Sequence, residues 1–252
     1  MKIKVFAGQD ELDRYAAGLL LHIVSQQERP VLGLATGSTP IGIYQAMVQA
    51  ASQSGLSFRH ATTYNLDEYV GLAPDHEQSY RYYMEKHLFR HLDIPASQTH
   101  IPDGRAVDLQ AECRRYDAML AAQPLDVQLL GIGHNGHIGF NEPAEELRSG
   151  THVVQLKEET RAANARFFNH QDEVPDRALT MGVGSILKAK QIILVARGAD
   201  KAQIVKQALQ GPITTRVPAS LLQTHAHVTV LLDRDAGREW MEDGTKVEMA
   251  HS

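Results

Sequence analysis

The sequence predicts an α/β protein with a doubly wound, mostly parallel open sheet, Rossmann-like, carrying helices on both faces. Two observations predict it. Short apolar runs alternate along the chain with segments whose apolar residues recur at helical spacing, the pattern of β-α-β crossovers. The second is DVQLLGIGHNGHIGFNEP, Asp126 to Pro143, where an apolar run breaks into glycines and polar residues. In open α/β sheets that is how a buried strand ends on a ligand site.

Taken in order, Lys2 to Phe6 reads as a strand and Glu11 to Gln27 as the first helix. Pro30 to Ala35 is the next strand, broken by LGLATGSTP before a helix from Pro40 to Gln53, with Pro40 in its first turn. Ala61 to Leu66 is a strand, and Ser79 to His91 and Leu109 to Ala122 are helices. After the strand Asp126 to Ile132, Thr151 to Leu156 and Leu179 to Met181 are expected as short extra strands around a helix from Thr160 to Phe168. Gln191 to Ala196, a helix from Lys201 to Leu209 and a strand from His227 to Leu232 complete the alternation. Several helical patterns are punctuated by Gly or Pro just beyond them. No repeat or Pro/Ser-rich linker divides the chain, so residues 1–241 are expected to form a single domain, followed by a loosely ordered polar tail, residues 242–252.

Composition narrows the function. The 252 residues suffice to bury a substantial core, and 43% hydrophobic with 22% charged residues is ordinary for a soluble globular chain. A formal net charge of -5 gives no electrostatic footprint for nucleic acid or an anionic membrane, so a phosphate-bearing ligand must be held by local groups. The single Cys113 forms no internal disulfide and sits in a helical pattern, as a packed residue would. The start MKIKVFAGQD lacks the apolar stretch of a signal peptide, and no apolar run approaches membrane-spanning length. A cytoplasmic protein is expected.

Three loops carry candidate chemistry. In LGLATGSTP a strand runs into a Gly/Ser/Thr turn and then a helix; backbone N–H groups, the helix dipole and the hydroxyls of Ser38 and Thr39 suit a phosphate. The same hydroxyls serve equally as simple N-caps. The loop is neither a Walker A nor a G-x-G-x-x-G sequence, so nucleotides are not indicated. TTYNLDEY places Asp67 and Glu68 just after a strand; adjacent acids point apart, so one of them faces the site, as a general base or else as a cap or surface charge. The third loop holds His134, Asn135, His137 and Glu142. Two cations bear on the phosphate hypothesis: Lys201 in the first turn of a helix, disfavoured there by the dipole unless an anion binds, and Arg166 on a small-residue face suited to bidentate contact. Either also reads as a solvated charge. The pair His134 and His137 lacks a Cys partner or an H-E-x-x-H pattern, and Ser38 and Ser185 lack a nucleophile elbow.

Together LGLATGSTP, NLDEYVGL, GIGHNGHIGFNEP, TRAANARFF, ALTMGVGSIL and GADKA resemble the glucosamine-6-phosphate deaminase (glucosamine-6-phosphate isomerase) family, in order, from the first strand to Asp233. The related 6-phosphogluconolactonases typically lack the FNEP ending found here at Phe140 to Pro143. The resemblance implies conversion of glucosamine 6-phosphate and water into fructose 6-phosphate and ammonia, with no metal or organic cofactor; a galactosamine-6-phosphate deaminase/isomerase is the alternative. It implies Asp67 as the base acting between C2 and C1, His137 as the proton carrier for ring opening, Glu142 as its orienting partner, and Gly37, Ser38, Thr39, Arg166 and Lys201 as the phosphate site. Asn135 stands where some members carry Asp, so it positions His137 without sharing a proton. Members activated by an acetylated sugar phosphate bind it between subunits through small hydroxyl residues just after FNEP. Here that stretch is Ala144, Glu145, Glu146, whose carboxylates would repel a phosphate, and an unregulated monomer or homo-oligomer is expected.

Overall fold

Short apolar runs such as Val31–Leu34 and Ile192–Ala196 form strands that are buried along their whole length. The computed structural model describes residues 1–165, 168, 170, 173–242 and 248–249. In chain order the elements are β1 (Lys2–Phe6), α1 (Gln9–Gln26), β2 (Val31–Leu34), α2 (Ile41–Ser54), β3 (Thr62–Asn65), β4 (Asp67–Tyr69), α3 (Tyr80–His87), β5 (Thr99–His100) and α4 (Leu109–Ala122). They continue with β6 (Val127–Leu130), β7 (His152–Gln155), α5 (Glu158–Asn164), β8 (Arg177–Thr180), α6 (Val183–Leu187), β9 (Ile192–Ala196), α7 (Ala202–Gln210), β10 (Val228–Asp233), α8 (Arg238–Glu242) and β11 (Glu248–Met249).

Among the described residues the main sheet runs β11-β1-β10-β9-β6-β2-β3-β5, with every pairing parallel. Successive side chains of its strands enter opposite cores. Ile192 and Leu194 of β9, with Val230 and Leu232 of β10, pack with Tyr116 of α4, Ile186 of α6, Val205 of α7 and Trp240 of α8. Ile193, Val195 and Leu231, from the same strands, pack with Leu20 of α1, Met47 of α2 and Met84 of α3. Helices therefore cover both faces, which is why these strands read as continuous apolar runs rather than as an alternation.

From β2 the chain winds outward to β3 and β5, whereas β6 returns beside β2 and the chain then moves the other way to β9 and β10. The order reverses between β2 and β6, and such a switch point opens a crevice at the carboxyl ends of the strands.

Three features differ from the sequence reading. Asp67 and Glu68 do not lie in a loop; they form β4, which joins β8 and β7 in a second, antiparallel sheet, with Asp67 opposite Thr180. The helix expected over Ser79 to His91 stops at His87, where Leu88 leaves helical geometry (φ -139, ψ -61) and is buried with Phe89. Within the expected polar tail, Glu248 and Met249 pair in parallel with Lys4 and Val5 of β1. No helix is long and apolar enough to cross a membrane among the described residues.

Candidate active site

Four neighbouring strands, β9-β6-β2-β3, send their carboxyl-terminal loops into one cavity of about 410 Å³. Ala35 to Thr39 come from β2, Leu66 and Asp67 from β3 and its continuation, Gly131 to Phe140 from β6, and Lys201 from the turn after β9. Tyr80 of α3 and Glu159 and Thr160 of α5 complete the lining.

Asp67 faces this cavity and is 6% exposed. No described residue donates a hydrogen bond to its carboxylate, so burial, reinforced by the neighbouring Glu68, pushes its pKa up to about 8. Its placement is fixed by the small sheet: Met181 N–H donates to Leu66 O at 2.7 Å, and Thr180, in register with Asp67, accepts Phe140 N–H on Oγ1 at 3.1 Å. The base candidate and the histidine loop are thus tied to the same strand. Glu68 turns away from the cavity towards the start of α3.

The loop after β6 is a tight glycine turn, with Gly133 N–H donating to His137 O and Gly136 N–H to Gly133 O. A Cβ at Gly133 would lie 2.2–2.4 Å from three atoms of the His137 ring, so only glycine lets the imidazole fold back over the turn. The polarity of the network around it can be followed from its anchor. Asn135 Nδ2 donates to Glu142 Oε2 at 2.7 Å, which leaves Asn135 Oδ1 to face His137 Nδ1 at 2.8 Å and His137 N–H at 3.2 Å. An amide oxygen only accepts, so the ring proton sits on Nδ1 and Nε2 is the atom left to exchange a proton. Glu142 also accepts Thr160 Oγ1–H at 2.5 Å, and its Oε1 lies 3.6 Å from His137 Nδ1. Burial opposes its charge, but His137 and the hydrogen bonds from Thr160 and Asn135 outweigh it and bring the pKa down to about 2. The site therefore holds one carboxyl group that resists ionisation and another that resists protonation.

In the loop after β2, neither Ser38 nor Thr39 caps α2. Pro40 is the N-cap and makes no side-chain cap bond, which sets aside the capping alternative for both hydroxyls. Gly37 adopts φ +95, a conformation that favours glycine, and its carbonyl accepts the Tyr83 hydroxyl at 2.7 Å. Tyr44 clamps Ala35, its hydroxyl donating to the carbonyl at 2.6 Å and accepting the N–H at 3.2 Å. Gly37, Ser38, Thr39 and Lys201 line the cavity together with Asp67, Asn135 and His137; Glu142 stands behind Asn135. Arg166, expected at the phosphate site, lies outside the described residues. His134 lines the cavity, with Nε2 2.7 Å from Asp200 Oδ2, bridging the loops after β6 and β9. Thr160 and Tyr80 went unnoticed in the sequence. Ser79, a visible N-cap whose side chain accepts Tyr82 N–H, marks Tyr80 as a helix-start residue, but nothing local marks Thr160 as the partner of Glu142. Among the described residues no three His, Cys, Asp or Glu side chains converge as metal ligands would.

Known proteins resemble this chain over nearly its whole length. The family described as glucosamine-6-phosphate isomerases/6-phosphogluconolactonase matches residues 8–231. A glucosamine-6-phosphate deaminase of Geobacillus sp. (strain WCH70) is 50% identical over 237 residues, 94% of this chain and 94% of that protein. One from Bacillus velezensis is 54% identical over 228 residues, 90% of this chain and 95% of its own. The solved structure of a monomeric glucosamine-6-phosphate deaminase, 47% identical, superposes with a TM-score of 0.92 over 94% of this chain and 99% of that one. The chain therefore belongs to the family of glucosamine-6-phosphate isomerases and 6-phosphogluconolactonases.

Proposed function

We propose that this protein converts glucosamine 6-phosphate and water into fructose 6-phosphate and ammonia, an aldose-ketose isomerisation with deamination in amino sugar catabolism. The observation that carries this reading is the convergence in one cavity of a buried carboxyl group and a histidine with a defined tautomer, beside a Gly-Ser-Thr loop and a lysine. Proton relocation between adjacent carbons of a sugar phosphate needs a strong base, a second proton carrier and a remote anchor.

His137 Nε2 moves the proton that opens the ring, leaving an aldehyde at C1. Asp67 then takes the C2 proton, made acidic by that carbonyl, and the electron pair forms the enolamine. Returning the proton to C1 gives an imine at C2, which water hydrolyses to the ketone and ammonia. Burial and the neighbouring Glu68 hold the Asp67 proton up to about pH 8. The ammonium group that the substrate carries at C2 favours the ionised carboxylate, so binding itself prepares the base. Asn135 and Glu142 hold the His137 tautomer, and the Glu142 charge stabilises the ring when it is protonated. Gly37, Ser38, Thr39 and Lys201, with Arg166, take the phosphate; this remote binding holds C2 over Asp67, so a substrate lacking phosphate loses turnover as well as affinity.

The single Cys113 suits a reducing cytoplasm, and a monomer without activation by an acetylated sugar phosphate is the working form we propose. Incubation with glucosamine 6-phosphate in excess EDTA should yield ammonia and fructose 6-phosphate in equal amounts. Galactosamine 6-phosphate and 6-phosphogluconolactone run alongside separate the epimer and lactonase readings. No ammonia from either amino sugar would sink the proposal.

A further inference from the structure

Glu68 takes no part in the steps above, yet it is 5% exposed and its carboxylate is fully engaged. Oε1 accepts Tyr69 N–H at 2.8 Å and Tyr80 N–H at 2.9 Å, and Oε2 accepts Arg81 N–H at 3.0 Å. Ser79 already caps α3 through Tyr82 N–H, so Glu68 satisfies the remaining amides of the first turn from a different element. Burial raises the Glu68 carboxyl above its ordinary value, while the three amides, the positive end of that helix and Arg81 favour its charged form. On the opposite side of the same short strand is Asp67, and Tyr80, whose amide Glu68 holds, lines the cavity with it.

We infer that Glu68 is a positioning residue of this site: anchored by the start of α3, it fixes the strand that carries Asp67 and keeps a negative charge beside it, making Asp67 a stronger base. The inference rests on the reading of Asp67 as the base. The charge matters because a carboxylate of ordinary proton affinity takes a C–H proton poorly, and base strength rises with proton affinity. The other titratable and charged groups around the pair are Tyr69 on β4, Tyr80 and Arg81 on α3, Tyr116 on α4 and His137 and Lys201 in the cavity wall. Of these, Arg81 offsets the Glu68 charge, with its guanidinium held by Thr99 through Oγ1 and the carbonyl oxygen.

The test has a catalytic and a non-catalytic readout. With glucosamine 6-phosphate, Glu68→Gln should move the acidic limb of kcat/KM down by about one pH unit and lower kcat about tenfold, whereas Glu68→Asp, which keeps the charge, should leave the limb in place even if the protein melts earlier. Independently of any activity, the thermal midpoint gained by Asp67→Asn is followed from pH 5 to 9. In the Glu68→Gln background that gain should level off at a lower pH and at a smaller value. A variant that melts earlier but leaves both pH positions unmoved would reduce Glu68 to a structural cap and overturn the inference. Should Glu68→Gln not fold, Arg81→Gln tests the opposite sign, since loss of that positive charge should move both positions upward; no movement overturns it. If the parent releases no ammonia, the deaminase reading fails while the thermal comparison still decides the role of Glu68.

Discussion

At the scale of single residues, two side chains of the same chemical type are driven to opposite behaviour by their neighbours. Asp67 has no donor among the described residues and is buried beside Glu68; Glu142 has two donors and a histidine. A base must be ionised in the free enzyme for kcat/KM to be high, so kcat/KM for glucosamine 6-phosphate should rise with pH and level off above about 8. A plateau reached by pH 6 would count against Asp67 as the base. Asp67→Asn removes the proposed acceptor of the C2 proton and should lower kcat by roughly 10²–10⁴-fold with the fold retained. Gly133→Ala offers a different test. Its methyl group would lie where the His137 ring is, and since a shift of about 1 Å costs on the order of 100-fold, kcat should fall by about that much while far-ultraviolet circular dichroism stays unchanged.

At the scale of elements, the site is built where secondary structure ends. The turn after β2 is braced from α2 by Tyr44 and from α3 by Tyr83, so a phosphate held there, as proposed, would depend on both helices. Tyr83→Phe deletes one hydrogen bond, worth about 1 kcal/mol, and should raise KM roughly fivefold with kcat nearly unchanged; an equal loss in kcat would mean that the loop also places the sugar. The same scale explains what could be read in advance. β2, β6, β9 and β10 were legible because burial on both faces writes a mainly apolar run, and α4 was legible to its ends because Asp108 caps it, accepting Gln110 N–H and Ala111 N–H. β4 was not. Its three residues are too few to show a period, and its partner β8 lies more than 100 positions away, a pairing that no local pattern encodes. Asn135, His137 and Glu142 were legible because one glycine turn carries them, whereas Thr160 reaches Glu142 from α5 and only the assembled fold brings them together.

At the scale of the whole molecule, the two shifted carboxyl groups set stability against catalysis. Glu142 lies below its ordinary 4.5, so its contribution to stability is complete above that pH and is lost as pH falls through about 2. Asp67 lies above its ordinary 3.8, so the stability tied to its protonated form is complete below that pH and drains away as pH rises through about 8. Together they place the most stable pH of the protein near the acidic end of the interval between them, whereas the proposed role of Asp67 as base needs it ionised and should place the activity maximum at the alkaline end. Melting curves from pH 5 to 9 should therefore show Asp67→Asn gaining on the parent as pH rises, by a few kcal/mol at pH 9 and by little at pH 5. Fructose 6-phosphate carries phosphate but no ammonium, so it should stabilise the parent without removing that pH trend. An amino sugar phosphate that cannot react supplies the cation that pairs with Asp67 and should flatten it. Equal gains for Asp67→Asn at pH 5 and pH 9 would mean that the carboxyl group is solvated in the folded protein, and the strained charge on which the base depends would be absent.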